Sequence, residues 1–124
     1  MSPNPKKHLP LQTHNFQILL SLLKREMHGY SIIKDIGERT AGEMALGTST
    51  LYAAIKRMVK EGLLEKTDRP ADNESSDARR LYYRTTDFGR AVAREEALRI
   101  RRLDEMLATT DLLADATSEE TGAR

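Results

Sequence analysis

The chain has 124 residues, no cysteine and no tryptophan, with 39% hydrophobic and 31% charged residues. That length suits one domain, and the lack of cysteine excludes disulfides, thiolate nucleophiles and cysteine metal sites. A domain this small buries a modest share of its surface and gains from pairing with a second copy. No apolar run nears the roughly 18 residues of a membrane helix, and the apolar stretch Ile18 to Leu23 is too short for a signal peptide. A cytoplasmic protein is expected. The net charge of +1 is uneven: residues 1–85 hold 14 Lys and Arg against 10 Asp and Glu, and residues 86–124 hold 6 against 9. A basic front and an acidic back would orient the molecule towards a polyanion.

Residues 1–12 contain three prolines and two lysines and read as an irregular, flexible arm. Thr13 to Arg25 predicts a helix, with Phe16, Leu19, Leu20 and Leu23 on one stripe and Ile18 and Leu22 on a second apolar side. Such a helix must be covered twice. Met27-His28-Gly29 breaks it, and His28 beside the turn glycine reads as structural. A second helix is expected from about Tyr30 to Arg39, with Ile32, Ile33 and Ile36 inward. A third runs from Thr48, a candidate N-cap, to the stop signal Gly62. Its apolar stripe is Leu51, Ile55, Met58 and Val59; Ser49, Tyr52, Ala53, Lys56 and Lys60 share another face.

Beyond Gly62 the pattern changes. Leu63 to Thr67 and Arg80 to Thr85 are strand-like, joined by a long polar tip over 68–79 that is slightly acidic. Alternation puts one of Tyr82 and Tyr83 in the core and one outside. Thr86 should cap a final helix reaching about Leu113, roughly 42 Å long if it spans about 28 residues. Its seam is Val92, Ala93, Ala97, Ile100, Leu103, Met106 and Leu107, and the preceding body cannot cover it alone. Residues 114–124 read as a disordered tail. The fold class is therefore mainly α with a small β-hairpin: a winged helix-turn-helix over 13–85 and a long dimerisation helix over 86–113.

In that arrangement the third helix enters the major groove. Ser49, Thr50 and Tyr52 would read bases, and Lys56, Lys60, Arg79, Arg80 and Arg84 would hold phosphates. The histidines show no metal-ligand spacing, and nothing pairs a nucleophile with a base, so neither a metal, a cofactor nor an enzymatic reaction is expected. A dimer interface could hold an apolar ligand pocket lined by Phe16, Leu20, Ala97, Ile100 and Met106.

Several stretches carry a resemblance: Leu19-Leu-Ser-Leu-Leu, His28-Gly-Tyr-Ser-Ile-Ile, Gly47-Thr-Ser-Thr-Leu-Tyr-Ala-Ala-Ile-Lys-Arg-Met, Glu61-Gly-Leu-Leu-Glu and Arg79-Arg-Leu-Tyr-Tyr-Arg-Thr-Thr-Asp-Phe-Gly-Arg90. In that order, over about residues 16–90, they resemble the PadR family of bacterial transcriptional regulators. The short C-terminal region is similar to the branch with a single dimerisation helix. The resemblance implies a winged-helix DNA-binding domain, a homodimer, a double-stranded operator, and repression relieved by a small molecule or stress signal. Gly47-Thr48-Ser49 stands where the family often has Ser-Pro-Gly. Multidrug-sensing relatives stack flat aromatic ligands on tryptophans, and that chemistry does not carry over to a chain without tryptophan. The competing expectation is a winged-helix protein-interaction module without DNA binding, suggested by the acidic tip and the near-neutral charge.

Overall fold

Among the described residues, apolar positions at helical spacing build four α-helices around one core, and a small sheet closes one side. The computed structural model describes residues 3–67 and 81–116. In chain order the elements are α1 (Thr13–Lys24), β1 (Met27–His28), α2 (Gly29–Arg39), α3 (Thr48–Lys60), β2 (Leu64–Thr67), β3 (Tyr82–Thr85) and α4 (Asp87–Leu107). The sheet is antiparallel in the order β1-β3-β2. The expected two-stranded hairpin is thus a three-stranded sheet. The extra strand is the break after the first helix: Met27 lies opposite Tyr83 and His28 opposite Tyr82.

The core joins Ile18, Leu19 and Leu22 of α1 to Ile32 and Ile36 of α2, Leu51, Ile55 and Met58 of α3, and Val92 and Ala93 of α4. Met27, Leu63, Leu64 and Tyr83 complete it. This reverses the expected weighting of α1. Ile18 and Leu22, read as the second side, face the centre, whereas Leu20 is only half-buried and Phe16 and Leu23 pack at the margin. The reason is that α1 packs on α2, β3 and α4 at once, so its widest side turns towards the largest set of partners.

The helix ends follow local chemistry. His28 caps α2: its Nδ1 accepts from the Ser31 amide at 3.3 Å, and its Nε2 lies 2.9 Å from Ser31 Oγ. Gly62 closes α3 with φ +83°, which costs glycine little. The Gly62 and Leu63 amides then bond the Val59 and Met58 carbonyls, a Schellman closure. Thr86 caps α4 by accepting from the Gly89 amide at 2.9 Å, and its own hydroxyl donates to the Gly62 carbonyl. The expected cap of α3 is displaced by one residue. Gly47 occupies that position and Thr48 is the first helical residue, so no side chain caps the start.

Two expectations about the chain ends change. Residues 1–12, read as an irregular arm, include a 3₁₀ turn over Pro5–His8 that packs on α4. His8 meets Phe88 edge to face with ring centroids 5.4 Å apart, and Leu9 and Leu11 pack against the core. The helix α4 stops at Leu107 rather than Leu113, which makes it about 32 Å long. Thr109 and Thr110 explain the stop. Their hydroxyls donate to the Met106 and Leu107 carbonyls at 2.7 and 2.8 Å, offering the backbone an alternative to another helical turn. Of residues 114–124, read as a disordered tail, 114–116 form a helical turn and 117–124 lie outside the described residues. Among the described residues no helix is long and apolar enough to cross a membrane.

Candidate nucleic-acid interface

The helix α3 carries three cations, Lys56, Arg57 and Lys60, and no acidic residue. Its apolar stripe is consumed by the core, which forces the other faces into solvent. Ser49, Thr50, Tyr52, Ala53, Lys56, Arg57 and Lys60 are all exposed. Among the described residues none of the three cations has a carboxylate partner; every ion pair lies elsewhere. The structure therefore brings Ser49, Tyr52, Lys56 and Lys60 onto one open surface, with Ala53 at its border, whereas Thr50 and Arg57 point to the side nearer α1.

Tyr52 has two surroundings. It is 46% exposed, yet its hydroxyl lies against Gly29, where a Cβ would collide with it. The phenol thus bridges the open face of α3 and the first turn of α2. It also lines a cleft of about 270 Å³ between α3 and the sheet, with Ile55, Lys56, Val59, Lys66 and Tyr83. Lys66 is a cation that sequence reasoning passed over. Leu64 is buried in β2, and alternation puts Lys66 on the same side, facing α3. Tyr83 is the core tyrosine of the pair at 4% exposure, and Tyr82 packs edge to face on His28. Burial pushes the Tyr83 hydroxyl above its ordinary range, with Tyr52 adding to the shift.

Arg84 is differently placed. It lies on the opposite face of the sheet, and its Nε donates to Glu65 at 2.7 Å, with Glu26 3.8 Å from Nη1. The Glu65 hydrogen bond raises its affinity for its proton further. A phosphate would have to compete with Glu65 for this guanidinium. Arg79 and Arg80 lie outside the described residues.

The groups expected to line a ligand pocket are partly assembled. Phe16, Leu20 and Ala97 share a groove of about 270 Å³ with Leu23, Ala93, Arg90 and Arg94. Ile100 and Met106 do not line it. They lie further along α4 with Leu103 and Leu107, all exposed, and Met106 reaches 60%. Sequence reasoning also missed Glu96. It is 3% exposed, accepts two hydrogen bonds from Arg99 at 2.9 and 2.7 Å, and accepts from the Leu11 amide at 3.4 Å. Arg99 holds its carboxyl below the ordinary range. Nothing in the local sequence marks Glu96, because its burial comes from the N-terminal segment laid across α4.

A family model described as the transcriptional regulator PadR-like family matches residues 18–95. The chain belongs to the PadR-like family. It is a transcriptional regulator, not an enzyme. An uncharacterized protein of Lysinibacillus sphaericus is 32% identical over 78 residues, covering 63% of this chain and 69% of that protein. A PadR family transcription regulator of Clostridium difficile is 28% identical, with a TM-score of 0.67 over 79% of this chain and 97% of that one. The PcaV transcriptional regulator of Streptomyces coelicolor shares the fold, with a TM-score of 0.69 at 24% identity over 93% of this chain and 76% of that one. In this PadR-like regulator the matched span begins within α1 and takes in α2, α3, the sheet and the start of α4, so α3 stands third of the three helices before the wing.

Proposed function

We propose that this regulator is a cytoplasmic, dimeric, sequence-specific repressor that sets α3 into the major groove of a double-stranded operator. The observation that carries the reading is the composition of α3: three cations without carboxylate partners among the described residues, no acid, and Ser49 and Tyr52 on the same open face. Lys56 and Lys60 would contact phosphates, and Ser49, Thr50 and Tyr52 would meet base edges. Arg79, Arg80 and Arg84 would extend the phosphate contacts, Arg84 by exchanging its pair with Glu65 for a phosphate.

The dimer would form along the distal half of α4. Ile100, Leu103, Met106 and Leu107 share one stripe and are exposed in the single chain, a patch that a second copy would cover. A small apolar effector would enter the groove beside Phe16, Leu20 and Ala97 and alter how α4 sits on α1; release of the operator by a small molecule or stress signal would follow. Selection of bound fragments from genomic DNA tests the reading. The expected product is a pseudo-palindrome with half-sites about 34–36 Å apart or a multiple of that. Recovery of unrelated fragments without two-fold symmetry would count against it.

A further inference from the structure

The start of α1 and the flank of α3 enclose a polar cleft of about 290 Å³, lined by Gln12, His14, Asn15, Thr50, Ala53, Ala54 and Arg57. Among the described residues no acidic side chain lines it. Arg57 stands at its edge, exposed and without a carboxylate partner among the described residues. Ala53 belongs both to this cleft and to the open face of α3, so the two surfaces are continuous. Gln12 makes no side-chain cap on α1, which leaves first-turn amides without a local acceptor. Asn15 Oδ1 is buried without a hydrogen-bond partner among the described residues and would accept from a bridging water.

We propose that this cleft is a second phosphate-binding site, taking one phosphodiester of the strand that flanks the groove occupied by α3. The proposal rests on α3 being the DNA-contacting helix and adds a separate anchor to it. The chemistry argues for an oxyanion. A guanidinium offers a planar pair of donors suited to phosphate, and Gln12 and His14 add polar donors beside it. The cleft is open and sits beside the α3 face, not beneath it. It therefore suits a backbone group passing along the rim and not a base inserted end-on. Two anchors on opposite flanks of α3, Arg57 on one and Lys56 with Lys66 on the other, would fix its rotation about the helix axis. Contacts of this type set register and carry no sequence preference of their own.

The test uses the full chain and a duplex carrying the site it selects, with single phosphates replaced in turn by neutral methylphosphonates. The unsubstituted protein should lose affinity at one phosphate flanking each half-site, and Arg57→Ala should lose sensitivity at that phosphate alone. Lys56→Ala should keep that sensitivity and lose it elsewhere. Arg57→Ala should also bind roughly three- to tenfold more weakly at moderate salt and lower the salt slope by about 0.9, the value of one phosphate contact. The preferred sequence should not change. A Gln12→Ala/His14→Ala variant should weaken binding at the same phosphate, and thermal unfolding of both variants should match the parent protein. An unchanged methylphosphonate pattern in Arg57→Ala overturns the second site while leaving the α3 reading intact. Failure of the unsubstituted protein to bind any duplex overturns both.

Discussion

Among the described residues two surfaces of this regulator face water uncovered, and they are chemical opposites. The face of α3 is polar and cationic, with Ser49, Tyr52, Lys56 and Lys60 in the open. The distal half of α4 carries an apolar stripe, with Ile100, Leu103, Met106 and Leu107 bare. Elsewhere the described cations include several that are tied down: Lys24 and Arg39 on Asp35, Arg84 on Glu65, and Arg99 on Glu96. The difference teaches that the two bare surfaces suit different kinds of partner. Apolar area gains from a second apolar surface, at about 25 cal/mol per Å² removed from water. Unpaired cations gain from phosphates, by releasing the ions condensed on the duplex. The structure joins the two surfaces through one rigid root, where Thr86 and Gly89 tie the start of α4 to the turn that closes α3.

The comparison breaks most visibly at the apolar surface. Leu103→Glu together with Met106→Glu should yield a monomer in sedimentation. It should also bind its site on the order of 100-fold more weakly, because the second half-site is no longer held at high effective concentration. A dimer that survives both charges would place the interface elsewhere. Next is the root of α4. An alanine at Gly89 would drive its Cβ into the Leu63 carbonyl and against Thr85. Gly89→Ala should lower stability by about 2 kcal/mol in urea denaturation, as overpacking against backbone does.

The tied-down cations give a smaller, pH-dependent effect. Partial burial pushes the Asp35 carboxyl up, but hydrogen bonds from Lys24, Ser21 and Arg39 outweigh it and bring it from 3.8 to about 2. The unfolded chain therefore binds the extra proton first as pH falls. The network's stabilisation is present above about pH 4 and is lost between that value and about pH 2. Lys24 is half in water and screens the pair, so the expected loss is about 1–2 kcal/mol, followed by acid titration of the unfolding midpoint. Asp35→Asn should flatten that segment of the curve. Smallest is the cationic face taken one residue at a time. Lys56→Ala should weaken binding to all duplexes by roughly three- to tenfold and leave the preferred sequence alone, whereas Tyr52→Ala should change it.

Much of this was legible in the sequence where the cause is local. The period of α3 separates Leu51, Ile55 and Met58 from Tyr52, Lys56 and Lys60, and the structure keeps that separation. Gly62 and Thr86 end and begin helices through bonds made within a few residues. What stayed hidden depends on chain far away. The strand β1 is two residues long and exists because Tyr82 and Tyr83 arrive beside it. Glu96 is buried because Leu11 crosses over it, and Arg84 is occupied because register sets Glu65 opposite. The side of α1 that faces the core could not be chosen from its own residues, since both sides are apolar and α2, β3 and α4 decide between them.

The measurement that tests the central claim most directly is the affinity of the full chain for a duplex as a function of salt. If α3 and its flanks meet phosphates, log K should fall linearly with log salt at about 0.9 per phosphate neutralised, a slope of several units for a dimer. Affinity that stays the same from low to high salt would contradict the account.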